Sequence, residues 1–166
     1  GQAGLSDLEV VQFVLLLMVA GNETTTNLIG NMALALLENP EQAQILTQDP
    51  EKVPQAVDEA LRYDSPVQMV FRKTTCETEL GGTSLPSGSQ VAVILGSANR
   101  DETFFSHPDE FQVERKPQGF PGFGFGKHFC LGSSLARLET ATSFQALMPH
   151  WPEISRVSPD VERIQS

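Results

Sequence analysis

The first fifty residues contain neither lysine nor arginine, and all eleven of the chain's cations fall between Lys52 and Arg163. Against them stand 21 acids, for a formal net charge of −10. Such a balance argues against nucleic acid or an anionic membrane surface as a general partner, because both require basic patches. Cysteine is nearly as scarce. Cys76 and Cys130 lie far apart with no C-x-x-C pair, which weakens any zinc-ribbon or disulfide-framework reading. No apolar run reaches the ~20 residues of a membrane span; the longest, Val10 to Ala20, is interrupted by Gln12. There is no signal-peptide pattern, so the chain reads as cytoplasmic. It begins at Gly1 without a methionine, which fits part of something longer. Its 166 residues are about one domain's worth and enough to bury a core. The gathering of cations after residue 50 fits either an anionic group held there or a solvated mixed surface.

What is present is mostly helical. Ser6-Asp7-Leu8-Glu9 is a capping box before an apolar run. The helical pattern continues through Leu28, Met32 and Leu36 and stops at Asn39-Pro40, a span of roughly 50 Å at ~1.5 Å per residue. Residues 10–20 are apolar nearly all round, so that half is expected to be buried on every side. Prolines bracket a short helix over 41–48, and a further helix is expected over 51–63. Val67 to Thr75 and Gln90 to Leu95 read as strands, the second of them buried, with turns at Gly81-Gly82 and Pro86-Ser87-Gly88. Residues 99–126 are turn-rich, and a last helix over 131–148 carries Leu135, Leu138 and Ala141/Thr142 on one face. The fold class is mainly α with small β-sheets. A long irregular passage in a compact domain is usually functional.

The strongest chemical signal is the loop around Cys130. Five of thirteen glycines lie between Gly119 and Gly132, bedding the cysteine just before a helix. Glycine lets a backbone approach a flat or bulky group closely, and a helix N-terminus favours a thiolate. One thiolate lacks the ligand count for zinc or an iron–sulfur cluster, but suits a metal whose other ligands come from a macrocycle. A buried structural cysteine is the alternative.

Phe123-x-x-Gly126-x-x-x-Cys130-x-Gly132 resembles the haem-binding signature of the cytochrome P-450 monooxygenases. The resemblance implies that Cys130 is the axial thiolate ligand of haem b iron, donating electron density that favours O–O cleavage. It also implies His128 and Arg72 as donors to the haem propionates, with a loop histidine and an exposed strand arginine as the plain alternatives.

Ala20-Gly21-Asn22-Glu23-Thr24-Thr25 places glycine, an acid and hydroxyls inside the first helix, where each is a poor choice. A Thr24 hydroxyl can bond the Ala20 carbonyl and loosen the helix, and an acid beside a hydroxyl can pass protons. A polar turn joining two helices is the other possibility. The stretch resembles the same family's oxygen-activation motif. That implies Glu23 and Thr24 as the catalytic pair directing protons to dioxygen, with Ala20 and Gly21 leaving room above the haem.

Glu59-Ala60-Leu61-Arg62 puts two opposite charges on one helix face, by itself a surface pair worth ~0.2–0.5 kcal/mol. Its spacing resembles the family's E-x-x-R element. The resemblance implies a structural network in which Arg115, from Phe111-Gln112-Val113-Glu114-Arg115, is the third member.

The resemblance covers essentially all 166 residues as the C-terminal, haem-binding portion of the P-450 fold, with the N-terminal portion and last strands absent. It implies a bacterial-type monooxygenase that hydroxylates an apolar small molecule. Electrons would come from NAD(P)H through a ferredoxin or flavodoxin-type donor, docking near Lys127. Val67, Met69 and Val70 match a strand bordering the substrate. A non-catalytic haem-binding fragment and a peroxide-using peroxygenase are the competing functions, and Glu23-Thr24 favours dioxygen. Cys76 reads as an incidental free thiol.

Overall fold

The computed structural model describes residues 4–158 and 160. Helix α1 runs unbroken from Asp7 to Glu38. Its start is fixed by the capping box: the Ser6 N–H donates to Glu9 Oε2 at 2.8 Å, and the Glu9 N–H donates back to Ser6 Oγ at 3.4 Å. Pro40 begins α2 (Pro40–Gln48), and a turn at Pro50–Lys52 leads into α3 (Val53–Tyr63). Strand β1 (Met69–Lys73) pairs antiparallel with β4 (Gln90–Ile94), Arg72 opposite Val91. Nested between them is a hairpin of β2 (Thr78–Leu80) and β3 (Thr83–Leu85), turned by Gly81 and Gly82 at φ +56° and +78°. The sequence signal there was only a turn, because strands of three residues are too short to show alternation. A single helical turn α4 (Leu95–Ala98) and a long irregular passage precede α5 (Ser133–Leu147).

The core lies where α1, α2, α3 and α5 meet. Leu28, Met32 and Leu36 recur at four-residue spacing on α1 and pack with Leu46, Val57 and Phe144. Each such buried side chain stabilises the fold by about 1.5–3 kcal/mol.

Three sequence expectations are corrected. The N-terminal half of α1 is exposed, not buried: Leu15, Leu16 and Val19 are 56–67% accessible, because every packed element meets the helix from Thr25 onward. Its composition is that of a core helix; none of the described residues covers it. By length and composition α1 is also apolar enough to cross a membrane, a property that core helices of water-soluble proteins share. The second correction concerns α5, where Thr140, Ala141 and Phe144 form the buried face while Leu135 and Leu138 are exposed. Facing aromatic and small residues, not the leucines, meet α1 and α3. Third, β4 is exposed along most of its length, since its two-stranded sheet has no helix laid across it.

Candidate functional site

The cysteine loop is held by short backbone bonds and by α3 behind it. The Cys130 N–H donates to the Phe123 carbonyl at 2.9 Å, closing the intervening residues into a ring. Gly124 and Gly126 take φ of +73° and +63°, the left-handed conformation that favours glycine. Gly122 is required for another reason: a Cβ there would stand 2.9 Å from Leu61 Cγ on α3. The Ser133 N–H donates to the Cys130 carbonyl at 3.3 Å, tying the loop to the start of α5, which Gly132 caps. Cys130 itself is a free, exposed thiol, so the buried structural cysteine considered above is not what is found.

Opposite the loop stands α1. The Thr24 hydroxyl donates to the Ala20 carbonyl at 2.8 Å, and Thr26 makes the same bond to Asn22 at 2.9 Å. These bonds satisfy the hydroxyls without breaking the helix, which is continuous; a polar turn joining two helices is excluded.

Between loop and helix lies a cavity of about 1200 Å³. Cys130, His128, Gly132 and Phe123 line it from the loop, and Ala20, Gly21 and Thr24 line it from α1. Arg72, Val67 and Val70 close it from the β1 side. Glu23, Gly126 and Met69 do not line it: Glu23 and Met69 are exposed beside it, and Gly126 serves the loop's turn. Leu28, Phe104 and Leu135 line it as well. Sequence reasoning missed them because an apolar side chain carries no mark distinguishing cavity wall from core.

The lining suits a thiolate-ligated haem. A Cβ added at Gly21 or Gly132 would meet nothing within 4 Å, so both faces are open where a flat group would lie. Among the described residues Arg72 bonds only the adjacent Phe71 carbonyl, at 2.8 Å, leaving donors for a carboxylate. Among the described residues no group of three or more His, Cys, Asp or Glu could hold a metal ion. The Cys130 sulfur would suit a metal whose remaining ligands come from a macrocycle.

Behind the loop, Glu59 and Arg62 are fully buried, not the surface pair their spacing alone suggests. Arg62 Nε and Nη2 donate to the two Glu59 oxygens at 2.8 and 2.9 Å. Its remaining donors reach the carbonyls of Asn99, Pro108 and Glu110 at 2.8–3.0 Å. Arg115 Nε joins at 3.0 Å to Glu59 Oε1, and its terminal nitrogens hold the Ser106 and His107 carbonyls. The irregular passage is thus pinned by two guanidinia using carbonyls that no strand partner satisfies.

The architecture, a long helix facing a glycine-bedded cysteine with a buried Glu-Arg-Arg network behind it, defines a haem-thiolate fold. The family model described as Cytochrome P450 matches residues 1–151, and the chain belongs to the cytochrome P450 family. It is 46% identical over 94% of its length to Cytochrome P450 107B1 of Saccharopolyspora erythraea, and 42% identical over 91% to the biotin biosynthesis cytochrome P450 of Bacillus subtilis. The crystal structure of CYP109E1 from Bacillus megaterium in complex with corticosterone matches 99% of the chain and 45% of its own, with a TM-score of 0.94 at 39% identity. Helix α1 therefore has its counterpart inside a family fold. The chain spans about two fifths of the length of the curated relatives it matches, 39% and 38% of these two.

Proposed function

We propose that the chain is the C-terminal, haem-binding portion of a monooxygenase that hydroxylates an apolar small molecule. The observation that carries this reading is the one cavity lined jointly by Cys130, His128, Arg72 and the Ala20–Gly21–Thr24 segment. Cys130 Sγ would ligate haem b, and Arg72 and His128 would bind its propionates. Haem held by a thiolate supplies dioxygen activation and one-electron chemistry.

The chain's own residues do the rest. Phe123 and the loop glycines bring the backbone close to the macrocycle, while Ala20 and Gly21 leave space against α1. Thr24 Oγ1 holds a proton shared with the Ala20 carbonyl, and rotation about its χ1 presents that proton to the cavity. Glu23, exposed one residue earlier, replenishes it from solvent. Val67 and Val70 offer apolar wall to the substrate. Corticosterone in the Bacillus megaterium structure is of that chemical kind. Electrons would arrive from NAD(P)H through a ferredoxin or flavodoxin-type donor, with Lys127 beside the loop as a contact for its acidic surface.

Thr24→Ala tests the proton route. With an apolar substrate and a redox partner, the variant is expected to keep consuming NAD(P)H while product per NAD(P)H falls by about 100-fold, the lower end of the range for a lost general acid. Full coupling in Thr24→Ala would remove the residue from the reaction.

A further inference from the structure

Arg137 is the only cation of α5, and its contacts differ in kind from those of Arg62. Whereas Arg62 uses every N–H on protein oxygens, Arg137 makes one hydrogen bond among the described residues, from Nε to Asp58 Oδ1 on α3 at 2.7 Å. Its Cζ stands 4.5 Å from the centroid of the Phe123 ring. That ring lines the cavity, and the Phe123 carbonyl accepts the Cys130 N–H at 2.9 Å. One side chain therefore connects an ion pair on two helices to the residue hydrogen-bonded to the cysteine. The Arg137 and Asp58 side chains are 36% and 30% exposed, so the pair is partly desolvated and only partly screened.

We propose that Arg137 is a positioning residue for the haem site, acting through Phe123, and that Asp58 trims its charge so that the pair sets the electron affinity of the group held by Cys130. The proposal rests on the haem-thiolate reading above. A guanidinium is attracted to the electron-rich face of an aromatic ring, and its planarity suits that stacking better than an ammonium does. Seated there, the cation fixes the ring and adds positive potential at the cavity wall. Positive potential favours whichever redox state carries the extra electron. The Asp58 carboxylate, bonded to Arg137 Nε at 2.7 Å, opposes it.

The two partners then carry opposite signs. Arg137→Gln removes the cation and leaves Asp58 unbalanced, so the midpoint reduction potential of the bound haem is expected to fall. Asp58→Asn leaves the cation unopposed, so the potential is expected to rise. The double variant should return close to the parent, and Arg137→Lys, which keeps the charge, should lie nearer the parent than Arg137→Gln. A purely mechanical clamp would be loosened by either single change, shifting both in one direction with no return in the double.

The experiment is a spectroelectrochemical titration of the haem-loaded protein and these four variants, begun by recording the reduced carbon-monoxide spectrum of the parent. Opposite shifts with recovery in the double variant establish the proposal. A parent with the thiolate-type band whose potential is unmoved, or moved one way by both single variants, overturns it while leaving the haem reading intact. A parent without that band overturns both. Should Arg137→Gln fail to fold, a raised potential in Asp58→Asn supports the proposal and an unchanged or lowered one overturns it.

Discussion

On one face of α3, Glu59 and Arg62 are sealed from water with all five guanidinium donors placed on protein oxygens. On another, Leu61 meets the cysteine loop, beyond which Arg72 and His128 line an open cavity and Cys130 is exposed. The first region is completed by the chain's own atoms. The second presents a thiol, spare donors and bare glycines with nothing of the chain between them. A buried ion pair has to be fully satisfied or it destabilises, which is why the network is so thoroughly bonded. A binding site has to leave its groups unsatisfied until the ligand comes. The same helix builds both.

The largest expected effect comes from breaking the completed region. Arg62→Met leaves the buried Glu59 with Arg115 as its remaining ion-pair partner and takes the donor from the Asn99 and Pro108 carbonyls; a loss of about 3–5 kcal/mol is expected from denaturant unfolding of the haem-loaded protein. A loss under about 1 kcal/mol would mean that the network is not what holds the irregular passage.

Gly122→Val strikes the boundary between the two regions. Its Cβ would press on Leu61 Cγ at 2.9 Å and on Phe120 Cε2 at 2.8 Å. Overpacking of this kind costs about 1–3 kcal/mol, and displacement of the loop should weaken haem retention in parallel. Stability lost with haem affinity unchanged would show that α3 does not position the loop.

The smallest effect is a pH response at the start of the irregular passage. Hydrogen bonds from the Thr103 hydroxyl, and then from its N–H, hold the exposed Asp101 carboxyl below the usual carboxylate range. A lowered folded-state pKa contributes stability above the ordinary value, and that contribution is lost as pH falls through the folded one. Asp101→Asn should therefore narrow the gap in stability between neutral and acidic pH; an unchanged gap would detach this turn from the passage's acid sensitivity.

Much of the fold was legible in sequence because punctuation marked it. Ser6 with Glu9 set the start of α1 and Asn39-Pro40 its end. Even the Thr24 hydroxyl bond to Ala20 followed from spacing and chemistry. Burial was legible only where a partner existed. Val10 to Val19 has the composition of core yet is exposed, because hydrophobicity states what a residue avoids and not what it meets. Leu135 and Leu138 misled for the same reason: the packed face of α5 is carried by Thr140, Ala141 and Phe144. Within the candidate site, Cys130, His128 and Arg72 were named through the family resemblance, and all three line the cavity. The Asp58–Arg137–Phe123 contact was not, since it joins residues 79 positions apart in sequence with no motif between them.

The most direct test of the central claim is the reduced-plus-carbon-monoxide difference spectrum of the haem-loaded protein, beside that of Cys130→Ser. A Soret band in the thiolate-ligated position, lost or displaced in Cys130→Ser, is the expected result. A band that Cys130→Ser leaves unchanged would show that the sulfur is not the ligand and contradict the account.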